Sequence, residues 1–323
     1  MKRLAFSRFG PPPEVLELQS LELPTLAEGG VRLKILAAPV NPADLNFIEG
    51  TYGIKPELPA VSGIEGCGEV VESRDARFAP GDHAIFLRRS ATWASHVQVP
   101  GDVLFKVPAG IDPKQAAMLK VNPATAWQLL TGFQRPEPGS WIVQNAANSG
   151  VGRCVIRLAE SIGVRTMNFV RRPELVEELK ELGADHVVVD GEEGLREAKQ
   201  VMGKPGAALG FNAVGGESAL RVMNLLASHA IHITYGAMAR RPLTIPNGLL
   251  IFKDLRFRGL WITKWIEQAS DAEIAEVYGR LAEMTLSGGL VQPVDAVYPL
   301  EDYQSALVRA NEGGRSGKVL FVP

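Results

Sequence analysis

Trp141-Ile142-Val143-Gln144-Asn145-Ala146-Ala147-Asn148-Ser149-Gly150-Val151-Gly152, running on to Arg165-Thr166-Met167-Asn168-Phe169-Val170-Arg171-Arg172, is the stretch that decides how this chain folds. Trp141 to Gln144 is a short apolar run of the kind buried on both faces in a parallel sheet. The small residues Ala146 to Gly152 allow a tight backbone turn before an amphipathic helix reaching about Ile162. A second strand, Arg165 to Val170, then ends at two arginines. Strand, small-residue turn, helix and strand in that order predict one unit of a doubly wound α/β sheet.

The turn is also a candidate phosphate cradle. The first N–H groups of a helix have no partner within it and attract an anion, and small residues let a pyrophosphate approach the backbone. The glycine pattern G-x-G-x-x-G is not met strictly, because Ala147 and Ser149 stand at its first two glycines and only Gly152 matches. Arg171 and Arg172 lie about 20 residues on, where NAD-binding chains carry an acid for the ribose hydroxyls. Arginines there suit a 2′-phosphate instead, which points to NADPH. The plain alternative is a strand, a turn and a helix ending in a solvated arginine pair.

Outward from this unit, the texture changes. Residues 1 to about 120 are rich in turns and short strands, such as Val31 to Leu36 and Gly68 to Val71, and predict a mainly antiparallel, barrel-like body. From about Lys120 to Thr263 strands alternate with helical patterns: Ile142–Gln144, Thr166–Val170, His186–Val189, Ala208–Asn212, Ile231–Tyr235 and Arg256–Leu260. The tail predicts an amphipathic helix from Asp271 to Leu286, a turn at Gly288-Gly289 and a last strand Lys318–Val322. No internal repeat or low-complexity segment is present.

With 323 residues, 46% of them hydrophobic, the chain can build two domains with real cores. A formal net charge of −2 gives no sign of a nucleic-acid or membrane partner. Two cysteines, Cys67 and Cys154, are too few for a disulfide framework. The first residues run directly into strand-like sequence and no apolar run has the length of a membrane span, so a soluble, cytoplasmic protein is expected.

Several motifs together resemble the medium-chain dehydrogenase/reductase superfamily over essentially the whole length: Asn41-Pro42-Ala43-Asp44, Gly63-Ile64-Glu65-Gly66-Cys67-Gly68-Glu69-Val70, Pro80-Gly81-Asp82, the 146–152 turn and Leu182-Gly183-Ala184-Asp185. Within it, Asn41 to Asn46, Gly50-Thr51-Tyr52-Gly53, Asn145 to Gly152, Tyr235-Gly236-Ala237-Met238, Phe252 to Leu255 and Leu260 to Trp265 look like the NADPH-dependent 2-enoyl thioester reductases. The resemblance implies a GroES-like, mainly antiparallel catalytic domain (1–120 and 264–323), a Rossmann-type NADPH domain (121–263) and a homodimer.

It also implies roles, residue by residue. Tyr52 is the catalytic candidate, a phenol that donates a hydrogen bond or proton to the substrate; otherwise it is an aromatic packed on a glycine-bounded turn. Asn122 matches a cofactor-side asparagine and on its own reads as a helix start before Pro123. Asn148, Ser149, Gly150, Val151 and Gly152 would hold the phosphates, and Arg171, Arg172 and Pro173 the ribose end. Arg172 stands where the subgroup commonly has aspartate. Tyr235 to Met238 and Leu260-Trp261-Ile262 would line the nicotinamide, with Leu260 replacing an aromatic. Lys318 matches a lysine near the cofactor, although a lysine opening an edge strand is ordinarily solvated. Asn46 and Trp261 are placed beside the substrate.

Zinc enzymes share the superfamily, and a catalytic zinc needs three His, Cys or carboxylate ligands. Here Asn41-Pro42-Ala43-Asp44 lacks the cysteine expected in that segment, and Ile64 replaces the histidine before Glu65. His83, His96, His186, His229 and His232 form no ligand motif and read as strand-end or surface residues, so no metal is expected. Without a Lewis acid the substrate must be activated by its own carbonyl, as an enoyl thioester on CoA or acyl carrier protein is. Hydride would go to Cβ and a proton to Cα. An NADPH:quinone or enone oxidoreductase is the alternative on the same fold, and a non-catalytic NADPH-binding sensor or structural protein the alternative from another class. Arg88-Arg89 and Arg240-Arg241 could meet a thioester handle or acidic carrier, with solvated loop charges the default.

Overall fold

The computed structural model describes all residues, 1–323, and the chain divides into two compact units, Met1–Val121 with Ile266–Pro323, and Asn122–Trp265. The second unit holds one six-stranded, wholly parallel sheet. Its spatial order is His186–Val189, Arg165–Val170, Trp141–Gln144, Ala207–Asn212, Leu226–Thr234, Arg256–Gly259. From the central Trp141 strand the chain winds first to one side and then to the other. The crevice past the carboxyl ends of a sheet's strands at such a reversal is the general ligand position of doubly wound folds.

The sheet forms around three central strands with apolar residues on both faces: Ile142, Val143, Met167, Phe169, Leu209 and Phe211 are fully or almost fully buried. The Gly150–Ser161 helix covers one face with Cys154, Val155, Ile156, Leu158 and Ala159. Its last helical residue is Ser161, and Ile162 is the C-cap. The strand expected at Ile231–Tyr235 starts earlier, at Leu226, because a register shift against Ala207 and Leu209 lets Leu226 rejoin the ladder. That shift carries His229 at a positive φ of 62°.

The first unit is built on a seven-stranded sheet and a three-stranded one. All pairings are antiparallel except that of Val294–Tyr298 with Lys318–Phe321. The Gly30–Pro39 strand is central and pairs with Cys67–Ser73, His96–Pro100 and Lys318–Phe321. Lys318 therefore does not open an edge strand, contrary to the expectation from sequence: its strand has a neighbour on each side. The core gathers Leu4, Phe6, Leu33, Ile35, Ile48, Phe86, Trp93 and Phe321, with Trp93 and Phe321 edge to face at 5.1 Å. No helix in either unit is long and apolar enough to cross a membrane.

Candidate active site

In the second unit, the residues expected to hold a cofactor converge on the carboxyl ends of the strands. The Gly150–Ser161 helix is capped by Ser149, whose Oγ accepts the Gly152 N–H at 3.1 Å. Ala146 sits at a positive φ of 49°, a conformation costly for alanine and characteristic of turns at functional sites. Glycine is needed twice here. A Cβ on Gly152 would lie 2.5 Å from the Ala147 carbonyl oxygen, and one on Gly150 would lie 2.3 Å from the Asn122 amide nitrogen. Asn122 opens the Asn122–Thr131 helix and is thus laid directly against the turn.

Tyr235 follows the end of its strand, and its N–H donates to the Asn212 carbonyl at 3.0 Å. Its hydroxyl is enclosed close to Ser149 yet makes no hydrogen bond of good geometry, and burial pushes the phenol's pKa up. Met238 N–H reaches the Ala213 carbonyl at 2.9 Å, and Leu260 N–H the Thr234 carbonyl at 3.0 Å. Asn148 to Gly152, Tyr235 to Met238 and Leu260 thus share one rim, with Trp261 partly exposed and Ile262 buried beyond it. Arg171, Arg172 and Pro173 follow the neighbouring strand: Arg171 is exposed without an ion pair, while Arg172 meets Glu174 at 3.4 Å. The glycine cradle and the unpartnered Tyr235 hydroxyl fit a dinucleotide.

A buried amide network behind this rim was not anticipated. Asn145 Nδ2 donates to Asn212 Oδ1 at 2.9 Å and to Ser218 Oγ at 3.0 Å, while its Oδ1 accepts the Ala213 N–H at 2.8 Å. Gln144 donates to Asn168 at 2.8 Å and to the Gly152 carbonyl at 3.0 Å. These bonds fix the strand ends from which the cofactor loops leave. The signal in the sequence was the amide side chain ending each apolar run, at Gln144-Asn145 and Asn212.

In the first unit, Tyr52 follows the Pro42–Glu49 helix, which ends at Gly50 with a left-handed φ of 73°. The Thr51 and Tyr52 N–H groups both donate to the Asn46 carbonyl, at 2.9 and 3.1 Å. Asn46 and Tyr52 are therefore held together at one helix end. Arg89, expected as a solvated loop charge, is instead 19% exposed and paired at 3.2 Å with Asp44, whose side chain is fully buried. Its guanidinium stacks on Phe47 at 4.0 Å and over Tyr52 at 5.6 Å. Lys318 donates to Asn41 Oδ1.

Residues 27–109 match the alcohol dehydrogenase GroES-like domain, and residues 150–279 match the zinc-binding dehydrogenase model. Human mitochondrial enoyl-[acyl-carrier-protein] reductase is 41% identical over 315 residues, spanning 95% of this chain and 84% of that one. The chain belongs to the enoyl thioester reductases of the medium-chain dehydrogenase/reductase superfamily. The mitochondrial reductase of Arabidopsis thaliana is 37% identical over 96% of this chain and 84% of its own. The solved complex of Etr1p with NADP and crotonyl-CoA superposes on this reductase with a TM-score of 0.91 at 28% identity, covering 100% of this chain and 99% of that one. An NADPH:quinone reductase structure from Bacillus thuringiensis has the same TM-score at 24% identity, covering 100% and 98%, and shares the fold.

The family model's name raises zinc, and the donor set of this reductase does not fit it. No three His, Cys, Asp or Glu side chains gather as a ligand set. Asn41 Nδ2 donates to Glu65 Oε1 at 2.8 Å, and the Val121 N–H donates to Glu65 Oε2 at 2.8 Å. Burial pushes the Glu65 carboxyl up and the Lys120 ammonium down, each opposed by the other's charge. Lys120 Nζ donates to the Ile64 carbonyl at 2.7 Å. Burial pushes the Cys67 thiol up to about 12. Of the histidines, His232 departs from the expected strand-end or surface placement: it is fully buried in mid-strand, tilted against Phe257 at 5.4 Å, with neither ring nitrogen hydrogen-bonded.

Proposed function

We propose that this protein reduces the C2=C3 double bond of trans-2-enoyl thioesters with NADPH. The observation that carries the reading is a tyrosine, Tyr52, whose backbone N–H is held by the Asn46 carbonyl at a helix end, in a chain 41% identical to an enoyl-[acyl-carrier-protein] reductase. The neighbour Etr1p, solved with NADP and crotonyl-CoA, supports the same cofactor and substrate class. NADPH supplies the hydride that adds to Cβ. The backbone of Asn148 to Gly152 binds the pyrophosphate, Arg171, Arg172 and Pro173 take the 2′-phosphate end, and Asn122 holds the loop from behind. Tyr235 to Met238 and Leu260 to Ile262 orient the nicotinamide. Lys318, which donates to Asn41 Oδ1, belongs to the cofactor side of the same reading.

Asn46 and Trp261 position the acyl thioester, whose carbonyl draws charge away from Cβ. Tyr52 then gives its hydroxyl proton to Cα, and the phenolate is reprotonated by water. An acyl carrier protein or CoA serves as the thioester handle. A homodimer is part of the same reading: Arg256–Gly259 is a sheet edge, and Ile251 and Phe252 just before it are 69% and 83% exposed, an apolar feature that a second copy would cover. For compartment, the buried thiols of Cys67 and Cys154, in no disulfide, fit the reducing cytoplasm, while the relatives' names place those proteins in mitochondria.

The deciding experiment follows NADPH oxidation with crotonyl-CoA, a long enoyl-CoA, an acyl-carrier-bound enoyl chain and a quinone, for wild type and Tyr52→Phe. Enoyl turnover should dominate, and Tyr52→Phe should lower kcat/KM by roughly 10²–10⁴-fold with NADPH affinity unchanged. Turnover of the quinone alone would make it a quinone reductase. Tight NADPH binding with no turnover would make it a non-catalytic binder.

A further inference from the structure

We infer that Arg89 is a positioning residue for the reaction, holding the Tyr52 ring and placing a fixed cation beside the phenol; this rests on the reading of Tyr52 as proton donor. The support lies in how completely Arg89 is itself held. Asp44, its partner at 3.2 Å, is fully buried, and its carboxylate also accepts the Ile64 N–H at 2.9 Å, the Asn41 N–H at 3.1 Å and the Ser62 hydroxyl at 3.4 Å. A carboxylate fixed by several donors cannot follow the guanidinium if it moves. The guanidinium carbon lies over the Phe47 ring at 4.0 Å and over the Tyr52 ring at 5.6 Å, both within the reach of a cation–π contact. Phe47 is buried in the core, so the stack has a rigid floor.

Two further observations separate this from an ordinary ion pair. Arg89 Nη2 is enclosed and has no hydrogen-bond acceptor. A pair kept only to hold the fold gains nothing from an enclosed, unmatched donor. The Asp44 charge is divided among several donors, so the guanidinium keeps a positive field at the ring above which it lies. When Tyr52 releases its proton to Cα, the negative charge left on the phenolate forms beside that cation, and a cation already in place needs no reorganisation. The backbone tie from the Tyr52 N–H to the Asn46 carbonyl at 3.1 Å fixes the start of the side chain, and Arg89 fixes its ring.

The test is a double-mutant cycle. Arg89→Lys keeps a charge beside Asp44 but loses the planar stack, and Arg89→Met loses both. With an enoyl-CoA, kcat should fall about tenfold in Arg89→Lys and about a hundredfold in Arg89→Met, KM for NADPH staying within twofold. In the Tyr52→Phe background the same substitutions should change kcat less than twofold, because the hydroxyl they serve is gone. Thermal melts accompany each variant. If Arg89→Met does not fold, Arg89→Lys carries the test. Wild-type kcat in Arg89→Lys, or losses that multiply with that of Tyr52→Phe, would overturn the inference while leaving Tyr52 as donor. Full turnover by Tyr52→Phe alone would remove the donor reading and the inference with it.

Discussion

Replacing Gly152 by alanine tests whether the turn before the Gly150–Ser161 helix is built on close approach of two backbones. The added Cβ would lie 2.5 Å from the Ala147 carbonyl oxygen and 2.7 Å from both Ala147 C and Cα. These are main-chain atoms, and Ala147 is itself tied by its N–H to the Phe169 carbonyl at 3.1 Å. The overlap can be relieved only by lifting the helix start away from the turn. Overpacking of this kind costs about 1–3 kcal/mol, offset by at most about 1 kcal/mol from alanine's better helix propensity. The net cost lies between about 0 and 3 kcal/mol, and its middle, about 1–2 kcal/mol, should lower the melting temperature by roughly 2–8 °C, as scaled for a domain of 150 to 250 residues. Because the helix N-terminus shifts, NADPH affinity should fall at least about tenfold. Gly150→Ala is the control: its Cβ meets the Asn122 amide at 2.3 Å, a side-chain end that can swing aside. Stability should then stay within about 1 kcal/mol of wild type, within the ordinary range for small substitutions, while affinity still drops as Asn122 leaves its place. The assays are thermal melting with and without NADPH and a fluorescence titration. A Gly152→Ala protein that melts and binds like wild type would refute the close-approach argument.

Removing the Arg171 charge should cost more cofactor preference than removing Arg172, because Arg172 is already partly compensated by Glu174 at 3.4 Å. Charge-assisted bonds contribute about 1.5–3 kcal/mol each, so Arg171→Ala should lower the ratio of kcat/KM for NADPH over NADH at least about tenfold, and Arg172→Ala only a few-fold. Equal losses would mean that the ion pair opens when cofactor binds. His232 makes acid stability a second readout. Burial lowers its pKa from 6.5 to about 4. Between those values the unfolded chain binds a proton that the folded one does not, so stability falls as pH drops through that window, by up to about 3 kcal/mol at about 1.4 kcal/mol per unit. His232→Leu loses no hydrogen bond, since neither ring nitrogen makes one, and should flatten the decline between pH 6.5 and 4 in urea melts. An unchanged slope would locate the acid sensitivity elsewhere.

What was legible in the sequence follows from where the forces act. A strand covered on both faces must be apolar nearly throughout, so Trp141 to Gln144 announces itself in a short window. The Gly150–Ser161 helix was equally plain, since its cap and turn chemistry are local. Features set by distant partners were hidden. Arg89 looked like a loop charge because Asp44 lies 45 residues away in the chain. Lys318 looked like an edge residue because its strand pairs with Ala38 and Pro39 from near the other end of the chain. His232 looked peripheral because a lone histidine in a short run gives no hint that Phe257 will lie beside it on the next strand.

The same long-range contacts explain why a chain matching a zinc-binding dehydrogenase model works with an activated double bond. Its buried carboxylates are occupied by the protein's own cations and donors: Glu65 lies in the fields of Lys120 and Lys318 and accepts from Asn41 and the Val121 N–H. Asp44 is taken by Arg89. A divalent ion would have to displace ammonium and guanidinium groups already inside a low-dielectric core and would still lack a thiolate or imidazole ligand, since the corresponding positions are Asn41 and Ile64. The polarisation that a metal gives to an alcohol or aldehyde must then come from the substrate. A thioester carbonyl conjugated to C2=C3 supplies it, leaving the protein only the tasks of holding the cofactor and delivering one proton. Of the two carboxylates nearest the missing ligand positions, Glu65 is held by Asn41 and the Val121 N–H and Asp44 by Arg89, so both are already engaged by the protein's own groups.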